Sequence, residues 1–227
     1  MGLLQKILQS KTPGLNGKKS IMLKKGIFII LALIICVAAY LFFANKGKKG
    51  IQNDKEIPLK ISKNSEKLNQ RLDLTLQAYY QLHDGLVRWA PVDSIGRMAD
   101  SLSRVAATIP FTEIKADSIL IQTAEDFSEN LQDACAGIVK DTAIAGQRRD
   151  FYTATEALYN LLRTVQYDNK TIYHIKCPMA FNGDEEAFWL SDSTEVINPY
   201  FGINDPVHHS AMLHCGSVED SISFARL

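Results

Sequence analysis

The chain has 227 residues, of which 46% are hydrophobic and 22% are charged, and its formal net charge is zero. This length is typical of a globular protein with one well-buried core and an appendage, and four cysteines are too few for a disulfide scaffold. The first 50 residues hold nine lysines and no acidic residue, which leaves 16 basic against 25 acidic residues in the remainder. A domain this acidic repels phosphate backbones, so nucleic acid is disfavoured as a partner.

Residues 27–44 form an uncharged apolar run. As a helix they would span about 27 Å, close to the thickness of the hydrocarbon core of a bilayer. The six lysines before the run and the three after it favour a cytoplasmic basic segment, residues 1–26, and an exported C-terminal domain. We therefore predict a single-pass inner-membrane anchor with the domain in the periplasm. Two alternatives stay open, a signal peptide cleaved after Ala39 and a lipid anchor at Cys36.

Residues 45–63 are rich in Lys, Gly, Asn and Asp and predict a linker. Between residues 64 and 166, apolar residues recur every three or four positions in four successive segments, which is the pattern of amphipathic helices. The predicted helices cover residues 65–88, 92–109, 117–140 and 144–165. Their lengths and short connections predict an up-down four-helix bundle. The bundle shows no catalytic constellation, and we do not expect an enzyme.

The period changes at Tyr167, and residues 167–227 predict a small module rich in Cys, Met and His. Segments 171–176, 188–190 and 195–197 predict short strands, the first of which delivers Cys177 at its end. The predicted fold class is thus mostly α, with an N-terminal transmembrane helix, a four-helix bundle and a small C-terminal Cys/Met loop module with short strands.

Sulfur is concentrated in two short segments of this module, residues 177–179 and 212–216. Thiolates and thioethers are soft donors that favour Cu(I) over Mg, Ca or Mn, and Pro178 and Gly216 allow turns that bring such donors together. Zinc competes, because two Cys and two His satisfy its tetrahedral preference. The candidate metal ligands are Cys177, Met179, Met212 and Cys215, supplemented by His174, His214, His208 and His209.

The same two cysteines also permit a disulfide, which in an exported domain would close a loop of about forty residues and stabilise the fold by about 3 to 4 kcal/mol. The protein would then be a non-metal envelope interaction module with a Cys177 to Cys215 staple. From the residues alone, metal and disulfide remain equally open. A hydrolase with Cys177 as nucleophile is disfavoured, because no orienting acid or oxyanion-hole motif is recognisable.

Several short segments occur in a characteristic order: Cys177-Pro178-Met179-Ala180, Trp189-Leu190-Ser191, Asn198-Pro199-Tyr200-Phe201-Gly202, Met212-Leu213 and Cys215-Gly216. In these segments the chain resembles an uncharacterised bacterial envelope domain. That domain often forms the C-terminal extension of membrane-fusion adaptors of copper and silver efflux pumps, and it also occurs alone behind a signal or anchor. The resemblance covers about residues 68–218 and implies heavy-metal handling, with Cys177, Met179, Met212 and Cys215 as ligands.

The chain departs from the family pattern in two ways. Segment 203–211 is longer than usual and brings in His208 and His209, and no adaptor hairpin, barrel or lipoyl-like domain accompanies the module. We therefore expect a free-standing periplasmic copper-binding protein that buffers, senses or hands on the ion. Its expected partners are the metal ion, the membrane through residues 27–44, and a metal efflux pump or another envelope protein.

Overall fold

The structure is a computed structural model, and it describes residues 64–224. The predicted segments 1–26, 27–44 and 45–63 lie outside the described residues. The described part contains four helices, α1 (Glu66–Val87), α2 (Val92–Ala106), α3 (Ser118–Lys140) and α4 (Ile144–Thr164), followed by three strands, β1 (Ile172–Phe181), β2 (Glu185–Ser191) and β3 (Ser217–Ile222).

The helices begin and end within one turn of the predicted positions, because local signals set their boundaries. The Ser65 hydroxyl accepts the Leu68 N–H at 3.1 Å and caps α1. The Asp117 carboxylate accepts the Leu120 N–H at 2.9 Å and caps α3 in the same way. Pro91 stands directly before α2, where its missing N–H costs no helical hydrogen bond.

Each helix runs antiparallel to the one before it, and the first meets the fourth. Gly96, near the start of α2, packs against Val139, near the end of α3. The Asn64 side chain, ahead of α1, donates to the carbonyl of Val165, just after α4, at 3.0 Å. Consecutive helices are therefore packed side by side in an up-down-up-down order, and the start of α1 lies near the end of α4.

The strands form one antiparallel sheet in the order β2-β1-β3. The long central strand pairs with β2 through Ile175↔Trp189 and with β3 through Lys176↔Ser217, and it carries a bulge between Cys177 and Phe181. The sheet packs on the face where α1 meets α4. Both layers supply the largest fully buried side chains, so one core runs through the helices and the sheet.

The predicted fold class, mostly α with a loop module, is wrong. About half of the described residues are helical, and the C-terminal part is a three-stranded sheet that shares the helical core. The predicted strand 195–197 is absent, whereas β3 lies in a tail that shows little pattern because five of its six residues are exposed. An edge strand with so little burial lacks the alternation that predicts strands.

The transmembrane helix in that predicted fold is not supported either. Within residues 64–224, every helix is too short or too polar to cross a bilayer. The apolar run 27–44 lies outside this range.

Candidate functional site: a buried pair of thiols

The two cysteines of the sulfur-rich segments lie in contact. The Sγ atoms of Cys177 and Cys215 are 3.5 Å apart, and both thiols are free. Cys177 is fully buried, whereas Cys215 is partly exposed. The pairing of β1 with β3 explains this proximity, since continuing the antiparallel Lys176↔Ser217 register by one residue places Cys177 opposite Gly216, the neighbour of Cys215.

Cys177 is held by the sheet. It lies in the central strand and pairs with Ala187 of β2. The bulge that follows breaks the strand alternation, so that Pro178 and Met179 are both exposed before Ala180 is buried again. Cys177 therefore points into the protein while Met179, two residues later, remains accessible to solvent.

Cys215 lies outside any strand, and Asn198 holds the backbone around it. The buried Asn198 amide donates to the Cys215 carbonyl at 2.8 Å, and the Asn198 backbone N–H donates to the Leu213 carbonyl at 2.7 Å. The remaining side-chain oxygen accepts the Tyr200 N–H at 2.8 Å. Asn198 thus joins the loop 198–202 to the segment that carries Cys215.

Gly216 allows the closest approach of this segment to the sheet. Its φ is +148°, and a Cβ there would lie 2.7 Å from the Lys176 carbonyl oxygen and 2.8 Å from the Trp189 ring. Any side chain at residue 216 would displace the start of β3. The glycine next to Cys215 is therefore required for the contact between the thiols.

The loop 198–202 is fixed to the helices by Arg148 of α4. Its buried guanidinium donates to the carbonyls of Pro199 at 2.9 Å and Phe201 at 3.1 Å, and it stacks 4.3 Å from the ring centre of Trp89. The Trp89 indole N–H also donates to the Phe201 carbonyl, at 2.6 Å. Burial lowers the pKa of Arg148 to about 10, with an opposing effect from Asp205, so the group is charged at neutral pH.

Burial, reinforced by the neighbouring Cys177 thiol, raises the pKa of Cys215 to about 11. At neutral pH this thiol is therefore protonated. A metal ion that binds its thiolate must displace the proton, which makes metal affinity rise with pH. Cys215 is a poor nucleophile for the same reason.

The candidate ligand His174 is engaged away from the thiols. Its ring is stacked between Tyr159, at 4.0 Å, and Phe188, at 4.5 Å, and its Nε2 lies 2.9 Å from Glu156 Oε1. This side chain is buried between α4 and the sheet. Its present contacts are those of a packed, hydrogen-bonded histidine.

The other candidate ligands surround the second cysteine along the chain. Met212 is half-buried, and His214 is exposed with its Nδ1 2.8 Å from the Val196 carbonyl oxygen. His208 and His209 are exposed, and His208 contacts the Phe201 ring at 5.4 Å between centroids. Across residues 64–224, no three His, Cys, Asp or Glu side chains converge as a metal site.

The spacing of the thiols is close to what a shared metal ion needs. Two sulfurs bound to one tetrahedral ion at about 2.3 Å each lie about 3.8 Å apart, and farther apart as the angle opens. The observed 3.5 Å is slightly shorter than this spacing and well beyond the length of about 2.05 Å of a disulfide bond.

Sequence reasoning found the thiols but missed their supports. Arg148 binds carbonyls of the loop 198–202, and Asn198 binds the carbonyls of Leu213 and Cys215. Hydrogen bonds from side chains to distant backbone groups produce no periodic pattern in the sequence. The characteristic order of the short segments is therefore the sequence signal that marks this region.

Comparison with known proteins adds no assignment: no family model, no curated protein and no solved structure matches this chain. The resemblance to an envelope domain of metal-efflux adaptors remains a prediction. The fold and the site define an α+β domain with two thiols in contact at the edge of its core, one buried and one partly exposed.

Proposed function

We propose that this protein binds a soft metal ion, Cu(I) before zinc, through Cys177 and Cys215, and that it buffers, senses or hands on the ion outside the cytoplasm. The observation that supports this is the 3.5 Å separation of two free thiols that are 38 residues apart in the chain. Thiolates are the strongest ligands for Cu(I) among protein side chains, and they also suit zinc.

The two methionines are the reason for proposing Cu(I) ahead of zinc. Met179 follows the buried thiol on an exposed bulge, and Met212 precedes the second thiol within a turn. Thioethers contribute little to zinc and more to Cu(I). Met179 and Met212 are thus the proposed selectivity ligands, and the exposed histidines His208, His209 and His214 are proposed to meet an ion before it reaches the thiols.

The test is an anaerobic Cu(I) competition titration of the reduced full-length chain, run beside zinc. A background with Cys36→Ala and Cys135→Ala leaves only the two thiols of the site. We expect one Cu(I) per chain, and at least a hundredfold loss of affinity with Cys177→Ser or Cys215→Ser. Because Cys135 is a buried lone thiol on α3, its substitution alone serves as the matched control.

The methionine variants test selectivity in the same assay. Met179→Leu and Met212→Leu preserve volume while removing the thioether, so Cu(I) affinity should fall about tenfold while zinc affinity stays constant. Equal losses for both ions would contradict the assigned role. Absence of stoichiometric Cu(I) in the reduced background protein would overturn the metal proposal itself.

A second candidate is the stapled interaction module, in which the same cysteines form a structural disulfide. It is favoured by the burial of Cys177 and the raised pKa of Cys215, which both disfavour free thiolates. Intact mass of the protein purified without reductant distinguishes the two. A deficit of two hydrogens that persists with copper and mild reductant supports the staple.

The proposed location outside the cytoplasm, together with a role accessory to metal efflux, rests on the lysine distribution and on the family resemblance. In intact cells, a membrane-impermeant maleimide should label Cys215 in the Cys36→Ala, Cys135→Ala background and should fail to label its Cys215→Ser derivative. Labelling that requires cell lysis would contradict the proposed location.

A further inference from the structure

The two thiols of the site are positioned by different means. Cys177 belongs to the central strand, which is hydrogen bonded to a neighbour on each side. Cys215 lies in a non-strand segment whose backbone is bound by Asn198 on both sides of His214. The position of the second thiol therefore depends on Asn198 as well as on the pairing of β1 with β3.

Asn198 is in turn anchored to the helical layer, while Tyr200 of the same loop also binds the sheet through its hydroxyl, which donates to the Phe188 carbonyl. The carbonyls of Pro199 and Phe201, directly after it, accept hydrogen bonds from Arg148, and Trp89 donates to the second of them. A buried guanidinium bonded to carbonyls is costly to move, since the charge would lose its partners. The helices thereby fix the loop from which Asn198 reaches Cys215.

We propose that Asn198 is the positioning residue that sets the separation of the Cys177 and Cys215 thiols, and that Arg148 and Trp89 transmit this position from the helical layer. This inference deepens the proposed function, on which it rests in taking the same thiol pair as the site. It assigns the helices a role in pre-organising the pair, so that little conformational freedom is lost when a metal ion or a bond joins the sulfurs.

The direct measure of this pre-organisation is the thiol–disulfide equilibrium of the pair, which requires no metal. With glutathione disulfide as oxidant, both cysteines lose their S–H bonds, one S–S bond forms between them, and the disulfide substrate is reduced to two glutathione thiols that take up both protons. The equilibrium constant reports the effective concentration of one thiol at the other. If the two thiols are held together less closely, the equilibrium constant for disulfide formation is smaller.

The decisive variant is Asn198→Asp in the full-length Cys36→Ala, Cys135→Ala background. It keeps the acceptor for the Tyr200 N–H and replaces the donor to Cys215 by an oxygen. Asn64→Asp is the matched control, because the Asn64 amide is also buried and donates to a carbonyl, that of Val165, at 3.0 Å. We expect the equilibrium constant to fall at least about fivefold for Asn198→Asp and to stay within about twofold for Asn64→Asp.

An unchanged constant for Asn198→Asp, or equal falls in both variants, would overturn the inference. If Asn198→Asp does not fold, Trp89→Phe decides, since it removes the indole N–H donated to Phe201 and keeps a smaller aromatic ring against Arg148. A fall clearly beyond the twofold limit set for the control then supports the inference, and a change within that limit overturns it. If wild type fails to bind Cu(I) while Asn198→Asp still shifts the equilibrium, the metal proposal fails and the positioning role stands.

Discussion

The helical layer and the sheet layer are held in place by different forces. Within the helices, apolar side chains at helical spacing pack against one another, as Leu72, Leu102 and Leu158 do at full burial. The sheet shares that core, but it is also bound through helix side chains that reach its backbone and loops. This difference indicates that apolar packing forms the core, whereas a few polar contacts from the helices fix the orientation of the sheet and the position of the thiols.

The strongest test of this comparison uses two adjacent arginines. Arg148 is buried and bonded to loop carbonyls, whereas Arg149 forms an exposed ion pair with Glu185 at 2.9 Å. Arg148→Met should lower the free energy of unfolding by about 3 kcal/mol, because it removes the donor to the Pro199 carbonyl and one of the two donors to the Phe201 carbonyl. Urea denaturation measures this loss. Arg149→Met should leave the urea midpoint unchanged within error, and equal effects of the two substitutions would contradict the comparison.

Glycine at residue 216 provides the next largest effect. Gly216→Ala places a Cβ 2.7 Å from the Lys176 carbonyl oxygen and should cost about 2 kcal/mol in urea denaturation while separating the thiols. Gly183 is the control, because its φ is also positive, at +84°, but nothing lies within 4 Å of a Cβ there. Gly183→Ala should cost less and leave the thiol–disulfide equilibrium unchanged. Identical behaviour of the two variants would show that backbone strain alone, rather than close approach to the sheet, matters.

Two adjacent tyrosines of α1 test whether polar contacts from the helices hold the sheet. The Tyr79 hydroxyl lies 2.8 Å from Thr155 Oγ1 and accepts the Leu190 N–H at 3.0 Å, whereas the buried Tyr80 hydroxyl has no protein partner within the described residues. Tyr79→Phe should lower the free energy of unfolding by about 1.5 kcal/mol, because it leaves the Leu190 N–H unpaired. Tyr80→Phe should be neutral or slightly stabilising by the same thermal or urea measurement. A larger loss for Tyr80→Phe would refute the role given to Tyr79.

The smallest expected effect concerns pH. Because the folded reduced protein holds the Cys215 proton more tightly than the unfolded chain, this group stabilises the fold fully below the unfolded thiol pKa of about 8.5. The contribution is lost as pH rises through its folded pKa of about 11. Between about pH 8 and pH 10, the urea midpoint should therefore fall more steeply for reduced wild type than for Cys215→Ala. Parallel profiles would indicate an unperturbed thiol.

The sequence allowed the helices to be predicted closely, because caps and apolar spacing are local signals. Ser65, Pro91 and Asp117 mark helix starts in the sequence and in the structure alike. The sheet was underestimated for the opposite reason. The edge strand β3 is mostly exposed, and the bulge after Cys177 breaks the alternation of β1.

The candidate site was predictable only in part. The convergence of Cys177 and Cys215 follows from sulfur concentrated in two segments, and the two thiols do lie in contact. His174, placed in the same ligand set by proximity in sequence, packs instead against Glu156 and two aromatic rings. Neighbours along a strand face opposite sides, so closeness in sequence says little about a shared site.

The two thiols differ in their exposure to solvent. Cys215 faces the solvent in part, whereas Cys177 is enclosed behind it in the central strand. An oxidant or alkylating reagent from solvent therefore reaches Cys215 first, and a group attached to Cys215 would cover the sulfur of Cys177 behind it.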